Sequence, residues 1–144
     1  IYGVFTVQEE VGLRGALTST YGVDPHIGIA LDTTLACDTP GVASEQRITA
    51  LGHGVGIKVL DGSVICHREL VERFVALAKK HRIKHQLEIL PRGGTDAGAI
   101  QRTRAGVKTI TLSVPTRYIH TVTETVHRDD VTATEALLRR FLEG

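Results

Sequence analysis

Short apolar runs alternate with segments of helical period along this 144-residue chain, and the two patterns predict most of its secondary structure. The clearest helical period spans Arg68–Lys80, where apolar residues recur every three or four positions. Further helices are predicted over Leu13–Thr20, over Asp96–Arg104 with Thr95 as N-cap, and after an N-cap at Asp129 or Asp130. The apolar runs predict five strands, over Ile1–Val7, Ile27–Leu31, Ile48–Leu60, His85–Leu90 and Lys108–Val114.

This order of elements predicts the fold class. Strands that alternate with helices imply crossover connections, and hence a mainly parallel sheet covered by helices on both faces. We therefore expect an α/β fold, a three-layer α/β/α sandwich, with a loop over Pro40–Gln46. Glycines at positions 52, 54 and 56 indicate a bulge or a close backbone approach within Ile48–Leu60.

Composition limits the classes of function. A chain that is 42% hydrophobic can bury one sizeable core, and its net charge of +1 gives no electrostatic case for nucleic acid or a membrane surface. Cys37 and Cys66 are isolated, so neither a disulfide framework nor a structural zinc site is indicated. No apolar run approaches the roughly 18 residues of a membrane span, and no signal peptide opens the chain. We expect a protein of the reducing cytoplasm.

The chain contains no methionine, and Ile1 already falls inside a predicted strand. Since a gene product begins with Met and rarely opens on a core strand, we expect this chain to be a portion of a longer protein.

Polar side chains accumulate where predicted strands end. Glu9 and Glu10 follow the first strand, Asp32 follows the second, and His120 lies beyond the last. The carboxyl ends of parallel strands share one edge of a sheet, so these side chains are expected to converge. Carboxylates and imidazole suit zinc, cobalt or manganese, and Glu9 would remain free as a general base.

Each of these residues also has a purely structural interpretation. Asp32, followed by two threonines, could cap a turn, and His120 could be a structural histidine. The Gly93-Gly94-Thr95 sequence could be a tight turn and cap, or its N–H groups could hold a substrate carbonyl or carboxylate. The remaining histidines have no partner spacing and are assigned to the surface or to structure: His26, His53, His67, His81, His85 and His127.

Four segments in order resemble one family. Val4–Ala16 is similar to the Glu-Glu segment of the tetrahedral (TET) dinuclear-metal aminopeptidases, and Ala30–Thr34 is similar to their metal-binding Asp segment. Gly93–Ile100 and Arg117–His120 match two further segments at the expected separations. The family includes glutamyl and deblocking aminopeptidases and members named as endoglucanases.

The resemblance implies a set of roles. Glu9 would be the general base, Glu10 and His120 would ligate one metal, and Asp32 would ligate the other. The segment Gly93, Gly94, Thr95 and Asp96 would shape the substrate pocket. The cofactors would be two divalent ions, zinc or cobalt. The reaction would release the N-terminal residue of a peptide, and the protein would form a large closed homo-oligomer.

The match also has gaps. The family's site needs a further His and a metal-bridging Asp that precede its Glu-Glu segment. Residues 1–144 are therefore expected to be the C-terminal part of a catalytic domain, with an incomplete metal site. Arg92 replaces a usual glycine, where it could favour acidic side chains or face solvent, and Thr121 follows His120 where serine is common.

Two other functions stay open from the sequence. A glycoside hydrolase needs a carboxylate pair astride the sugar, and this chain offers only three Tyr, three Phe and no Trp as sugar platforms. A non-catalytic or incomplete α/β module is the other alternative. For the whole protein it is weakened by the presence of Glu9, Glu10, Asp32 and His120.

Overall fold

The computed structural model describes residues 1–144 and contains four helices and five strands. The helices are α1 (Arg14–Val23), α2 (Arg68–Lys80), α3 (Asp96–Gln101) and α4 (Arg128–Leu142). The strands are β1 (Ile27–Leu35), β2 (Val55–Leu60), β3 (His85–Ile89), β4 (Lys108–Arg117) and β5 (Thr125–Val126). A single 3₁₀ turn at Ser44–Gln46 interrupts the predicted loop.

The sheet consists of two parallel strand pairs that are joined by one antiparallel pairing. Its order is β1-β4-β2-β3, with β5 added to β4. β1 runs parallel to β4 and β2 runs parallel to β3, whereas β2 meets β4 in the antiparallel sense. The predicted α/β fold is confirmed, but the carboxyl ends of β1 and β4 lie at the opposite edge from those of β2 and β3.

The two faces of the sheet differ in chemistry. Helices α2 and α4 cover an apolar face, where Ile57, Leu112 and Phe74 are buried. The opposite face carries buried hydroxyls on β4, at Thr109, Thr111 and Ser113, and α3 packs over it against β1 and β4. Since side chains alternate along a strand, one apolar and one polar face follow from the sequence of β4.

The prediction of a strand over Ile1–Val7 is wrong. Residues 1–7 make no ladder with any strand of the chain, and Ile1 and Phe5 are 99% and 100% exposed. An apolar run meets the sequence criterion for a strand, but a strand also needs a neighbour to pair with. This segment is bonded through its end, where the Gly15 N–H donates to the Val7 carbonyl at 2.9 Å.

Other boundaries moved for local reasons. The second strand continues to Leu35, so Asp32 lies within β1 and not after it. The predicted Ile48–Leu60 strand begins only at Val55, because residues before it form a turn containing Gly52 and Gly54, both at positive φ. The N–H groups of these two glycines donate to the buried Asp130 carboxylate at 2.7 Å.

The N-cap of α4 is therefore His127, and not Asp129 or Asp130 as predicted. The Asp130 carboxylate accepts from the N–H groups of the glycine turn instead. The His127 side chain caps the helix by accepting from the Asp129 N–H at 3.2 Å. None of the helices in the structure has the length and apolar character needed to cross a lipid bilayer.

The apolar core generates a first prediction. Phe74 is fully buried and stacks on Phe141 with ring centroids 4.5 Å apart. Replacing Phe74 with Ala is expected to lower the free energy of unfolding by about 3–5 kcal/mol, because it leaves a cavity. Urea denaturation measures this. Leu142→Ala, at a half-exposed position of the same layer, is the control and should cost less than about 1 kcal/mol. Equal losses in the two variants would contradict the assigned core.

Candidate active site

Glu9 and Glu10 lie in a tight turn that leads into α1. The Glu9 carbonyl accepts from the N–H groups of Gly12 and Leu13 at 3.1 and 2.9 Å. Gln8, just before the pair, has a φ of +58°. A non-glycine residue in this left-handed region costs roughly 1 kcal/mol or more, and such residues concentrate at functional sites. The turn thus fixes the backbone from which both carboxylates project.

The turn depends on a close approach at Gly15. A Cβ atom there would lie 2.5 Å from the Val7 backbone nitrogen, so only glycine lets the start of α1 contact this segment. The Glu-Glu pair is positioned by backbone hydrogen bonds and this contact, without a strand.

Asp32 belongs to the polar face of the sheet. Its register partner on β4 is Ser113, and Thr34 lies two residues further along the same face of β1. The Asp32 carboxylate accepts from the Thr33 N–H at 2.7 Å and is part-buried. The alternative interpretation of Asp32 as a turn cap is wrong, since Thr33 continues the strand.

His120 lies in the turn between β4 and β5, with a φ of +61°. Its backbone N–H donates to the Glu124 carboxylate at 2.5 Å. Its Nε2 atom is 3.1 Å from Glu10 Oε1, although the two residues are 110 positions apart in sequence. Both side chains are mostly exposed. The structure thus brings Glu10 and His120 together.

The segment Gly93–Asp96 follows β3 and contacts the residues that precede Glu9. Gly93 has a φ of +93°, and Thr95 occupies the N-cap position of α3. The Thr95 hydroxyl makes no cap bond; it is buried and donates to Asp61 Oδ2 at 3.0 Å. The side chain of Asp96 accepts from the Thr6 hydroxyl at 2.6 Å, which ties α3 to the segment preceding Glu9.

Electrostatics show that the acidic side chains share one environment. Burial raises the pKa of Glu9 to about 7, and the nearby charges of Asp32, Glu10 and Asp96 contribute to the rise. Burial also raises the pKa of Asp32, with Asp96 and Glu10 again contributing, while the Thr33 N–H and the Lys58 ammonium act in the opposite direction. The negative charges of their neighbours thus oppose ionisation of Glu9 and Asp32.

The side chains at this place are of chemical types that bind divalent cations. The donors are carboxylate oxygens and one imidazole, which are the ligands that zinc and cobalt accept. The Asp96 Oδ1 atom is buried with no hydrogen-bond partner, so the site has spare acceptor capacity. No three His, Cys, Asp or Glu side chains of this chain are arranged to hold a metal ion among themselves.

Sequence reasoning missed the charged residues that are buried or paired within the sheet. Lys58, Asp61 and Glu88 are buried in and beside β2 and β3, and Asp38 pairs with Arg117 at the end of β4. The available signal was a charge inside each of two apolar strands, Lys58 between Ile57 and Val59 and Glu88 between Leu87 and Ile89.

Comparison with known proteins gives a consistent result. The profile of the M42 glutamyl aminopeptidase family matches residues 1–137. A lysyl aminopeptidase of Pyrococcus furiosus is 39% identical over 144 residues, which cover 99% of this chain and 40% of that protein.

Two solved structures are similar to this one. An aminopeptidase from the archaeon Desulfurococcus kamchatkensis has a TM-score of 0.94 at 44% identity, covering 96% of this chain and 39% of that chain. The TET1 peptidase of Pyrococcus horikoshii has a TM-score of 0.79 at 36% identity, covering 95% of this chain and 39% of that chain. The present chain thus spans about 40% of the length of the P. furiosus protein.

The Asp38–Arg117 pair generates a second prediction. Arg117 donates to both Asp38 oxygens, at 2.6 and 2.9 Å, and these bonds hold the pKa of Asp38 below its ordinary value. Asp38→Asn should lower the free energy of unfolding at pH 7 by about 1–2 kcal/mol.

The pH dependence of this loss has a defined sign. The carboxylate stabilises the fold above its unfolded-state pKa, about 3.9, and this contribution is lost as pH falls through the lower folded-state pKa. The difference between Asp38→Asn and the unmodified protein should therefore shrink below about pH 4. Denaturant titrations at several pH values measure it, with Asp129→Asn as an exposed control. A constant difference from pH 7 to pH 2 would show that the charge is irrelevant.

Proposed function

Because this chain belongs to the M42 glutamyl aminopeptidase family, we propose that it forms part of the active site of a metal-dependent aminopeptidase. The observation that carries the proposal is the 3.1 Å contact between Glu10 and His120, from two turns 110 positions apart, and the nearby charges that raise the pKa of Glu9 support it. In the same proposal, residues 1–144 are the C-terminal part of the catalytic domain of a longer protein.

The chain contributes metal-binding side chains. Glu10 and His120 would hold one divalent ion and Asp32 would hold the other, with the remaining ligands supplied from outside residues 1–144. Zinc or cobalt ions bound there would supply Lewis-acid chemistry, polarisation of the scissile carbonyl and a lower pKa for the attacking water.

Glu9 is the general base. Its part-buried carboxylate takes the proton of the attacking water and delivers it to the amine that leaves when the peptide bond breaks. Burial and the neighbouring carboxylates raise its pKa to about 7. A cation bound beside it would lower that pKa and favour the ionised form, which is the form that accepts a proton.

The substrate binds beside these groups. Gly93 and Gly94 are exposed, so their backbone can contact a peptide, whereas the Thr95 side chain is turned into the protein. Asp96 adds a carboxylate, and the acidic surroundings complement the protonated α-amine of a peptide. Removal of the N-terminal residue follows from recognition of that amine.

The partners are proposed on the same basis. The P. horikoshii relative can assemble into a tetrahedron or a large octahedral shell. We expect the protein that contains this chain to form a closed homo-oligomer as well. The alternatives are not favoured: the lysyl relative above is named for peptide hydrolysis, and a decayed site would be expected to have lost at least one of Glu9, Glu10, Asp32 and His120.

Glu9→Gln tests the base. The amide keeps the shape of the side chain but accepts no proton, so kcat for peptide hydrolysis should fall by about 10²–10⁴-fold. Metal content, measured by elemental analysis, should stay unchanged. Glu45→Gln, at an exposed position in the 3₁₀ turn, is the matched control and should retain full activity. Normal hydrolysis by the Glu9 variant would refute the assignment.

Metal removal tests the reaction class. Chelation of the full-length protein should abolish hydrolysis of aminoacyl chromogenic substrates, and added Co²⁺ or Zn²⁺ should restore it. A panel of such substrates, compared between the protein and Arg92→Gly, reports on specificity. A preference for acidic residues that Arg92→Gly removes would place the guanidinium at the pocket. Cellulose hydrolysis that resists chelation would support a glycoside hydrolase instead.

A further inference from the structure

A buried ion pair lies on the polar face of the sheet, directly behind the site. Lys58 on β2 and Glu88 on β3 are register partners, and both side chains are fully excluded from solvent. Lys58 Nζ is 2.6 Å from Glu88 Oε1 and 3.7 Å from Asp61 Oδ2. Because burying charges is costly and apolar replacements are often as stable, stability alone does not account for this pair.

One branch of the pair reaches β1. The Glu88 carboxylate extends past Gly56, where a Cβ atom would lie 3.1 Å from Glu88 Oε2 and 3.3 Å from the Ser113 Cβ. There Glu88 Oε1 accepts from the Thr34 hydroxyl at 2.5 Å. Thr34 is two residues from Asp32 on the same face of β1, and Ser113 is the register partner of Asp32.

The second branch reaches α3. Asp61 Oδ1 accepts from the backbone N–H groups of Ser63 and Val64, and Oδ2 accepts from the Thr95 hydroxyl at 3.0 Å. Thr95 also contacts the Thr111 hydroxyl at 3.0 Å. Asp96 follows Thr95 directly, so this branch fixes the helix start that carries Asp96.

We propose that the Lys58–Glu88 ion pair is a positioning device for the active site. It holds Asp32 through Thr34 and Asp96 through Asp61 and Thr95, which fixes the separation of two carboxylates that lie 64 positions apart. This inference rests on the proposed function, because it assigns a purpose to their spacing. Groups behind metal ligands commonly set ligand orientation, and their loss reduces metal affinity by about 10–100-fold.

Thr34→Val gives the sharpest test, because it removes only the hydroxyl that joins Glu88 to β1. The matched control is Thr109→Val, on the same polar face, where the buried hydroxyl has no hydrogen-bond partner to lose. Thr34→Ser restores the donor. Each variant of the full-length protein is titrated with Co²⁺, and the affinity, the visible absorption spectrum of bound cobalt, kcat and KM are recorded.

We expect Thr34→Val to weaken Co²⁺ binding by about tenfold or more and to alter the cobalt spectrum, with KM changed less than kcat. Thr34→Ser should recover most of the affinity, and Thr109→Val should match the unmodified protein. Gly56→Ala displaces the Glu88 carboxylate without deleting a polar group. It should change affinity in the same direction, and it provides the test if Thr34→Val does not fold.

Two results would overturn the inference while leaving the proposed function intact. One is an active, cobalt-binding protein in which Thr34→Val and Thr109→Val have the same affinity and spectrum. The other is a loss in Thr34→Val that Thr34→Ser does not repair. An unmodified protein that neither binds cobalt nor releases N-terminal residues would instead refute the proposed function, and the positioning role with it.

Discussion

The main constraint on this fold is the fully buried ion pair of Lys58 and Glu88. A buried carboxylate needs donors on more than one side, and here the donors come from β1 and β2. Strands on opposite sides of the antiparallel junction are thereby linked through side chains as well as through the β2–β4 ladder. The hydroxyls of β4 and the glycine at position 56 are the sequence features that make room for this link.

Much of the fold followed from periodicity. The predicted helix Arg68–Lys80 has the same bounds as α2, because one apolar stripe faces a continuous core. The strands β3 and β4 were also located, with ends displaced by one to three residues. What periodicity could not supply was pairing: neither the antiparallel junction between β2 and β4 nor the unpaired state of residues 1–7 is encoded in an apolar run.

The candidate site shows the same division. Glu9, Glu10, Asp32 and His120 were found through strand ends and family resemblance, and the family membership is confirmed. Glu10 and His120 lie 3.1 Å apart, whereas Asp32 lies inside a strand and Glu9 follows no strand at all. Thr95 had been interpreted as a cap, but a hydroxyl next to a buried carboxylate forms the stronger, charge-assisted bond. A linear sequence cannot show whether a threonine hydroxyl will accept from an N–H of its own helix or donate to a distant carboxylate.

The backbone holds the side chains of the candidate site in two different ways. Asp32 is carried by a central part of β1 that is paired to β4 along its length, so displacing it would break a ladder of hydrogen bonds. Glu10 and His120 instead project from exposed turns, and the backbone is held at positive φ at Gln8, two residues before Glu10, and at His120 itself. The two sides of the candidate site therefore differ in how they are held, and local opening of an exposed turn breaks fewer hydrogen bonds than displacement of β1 from β4.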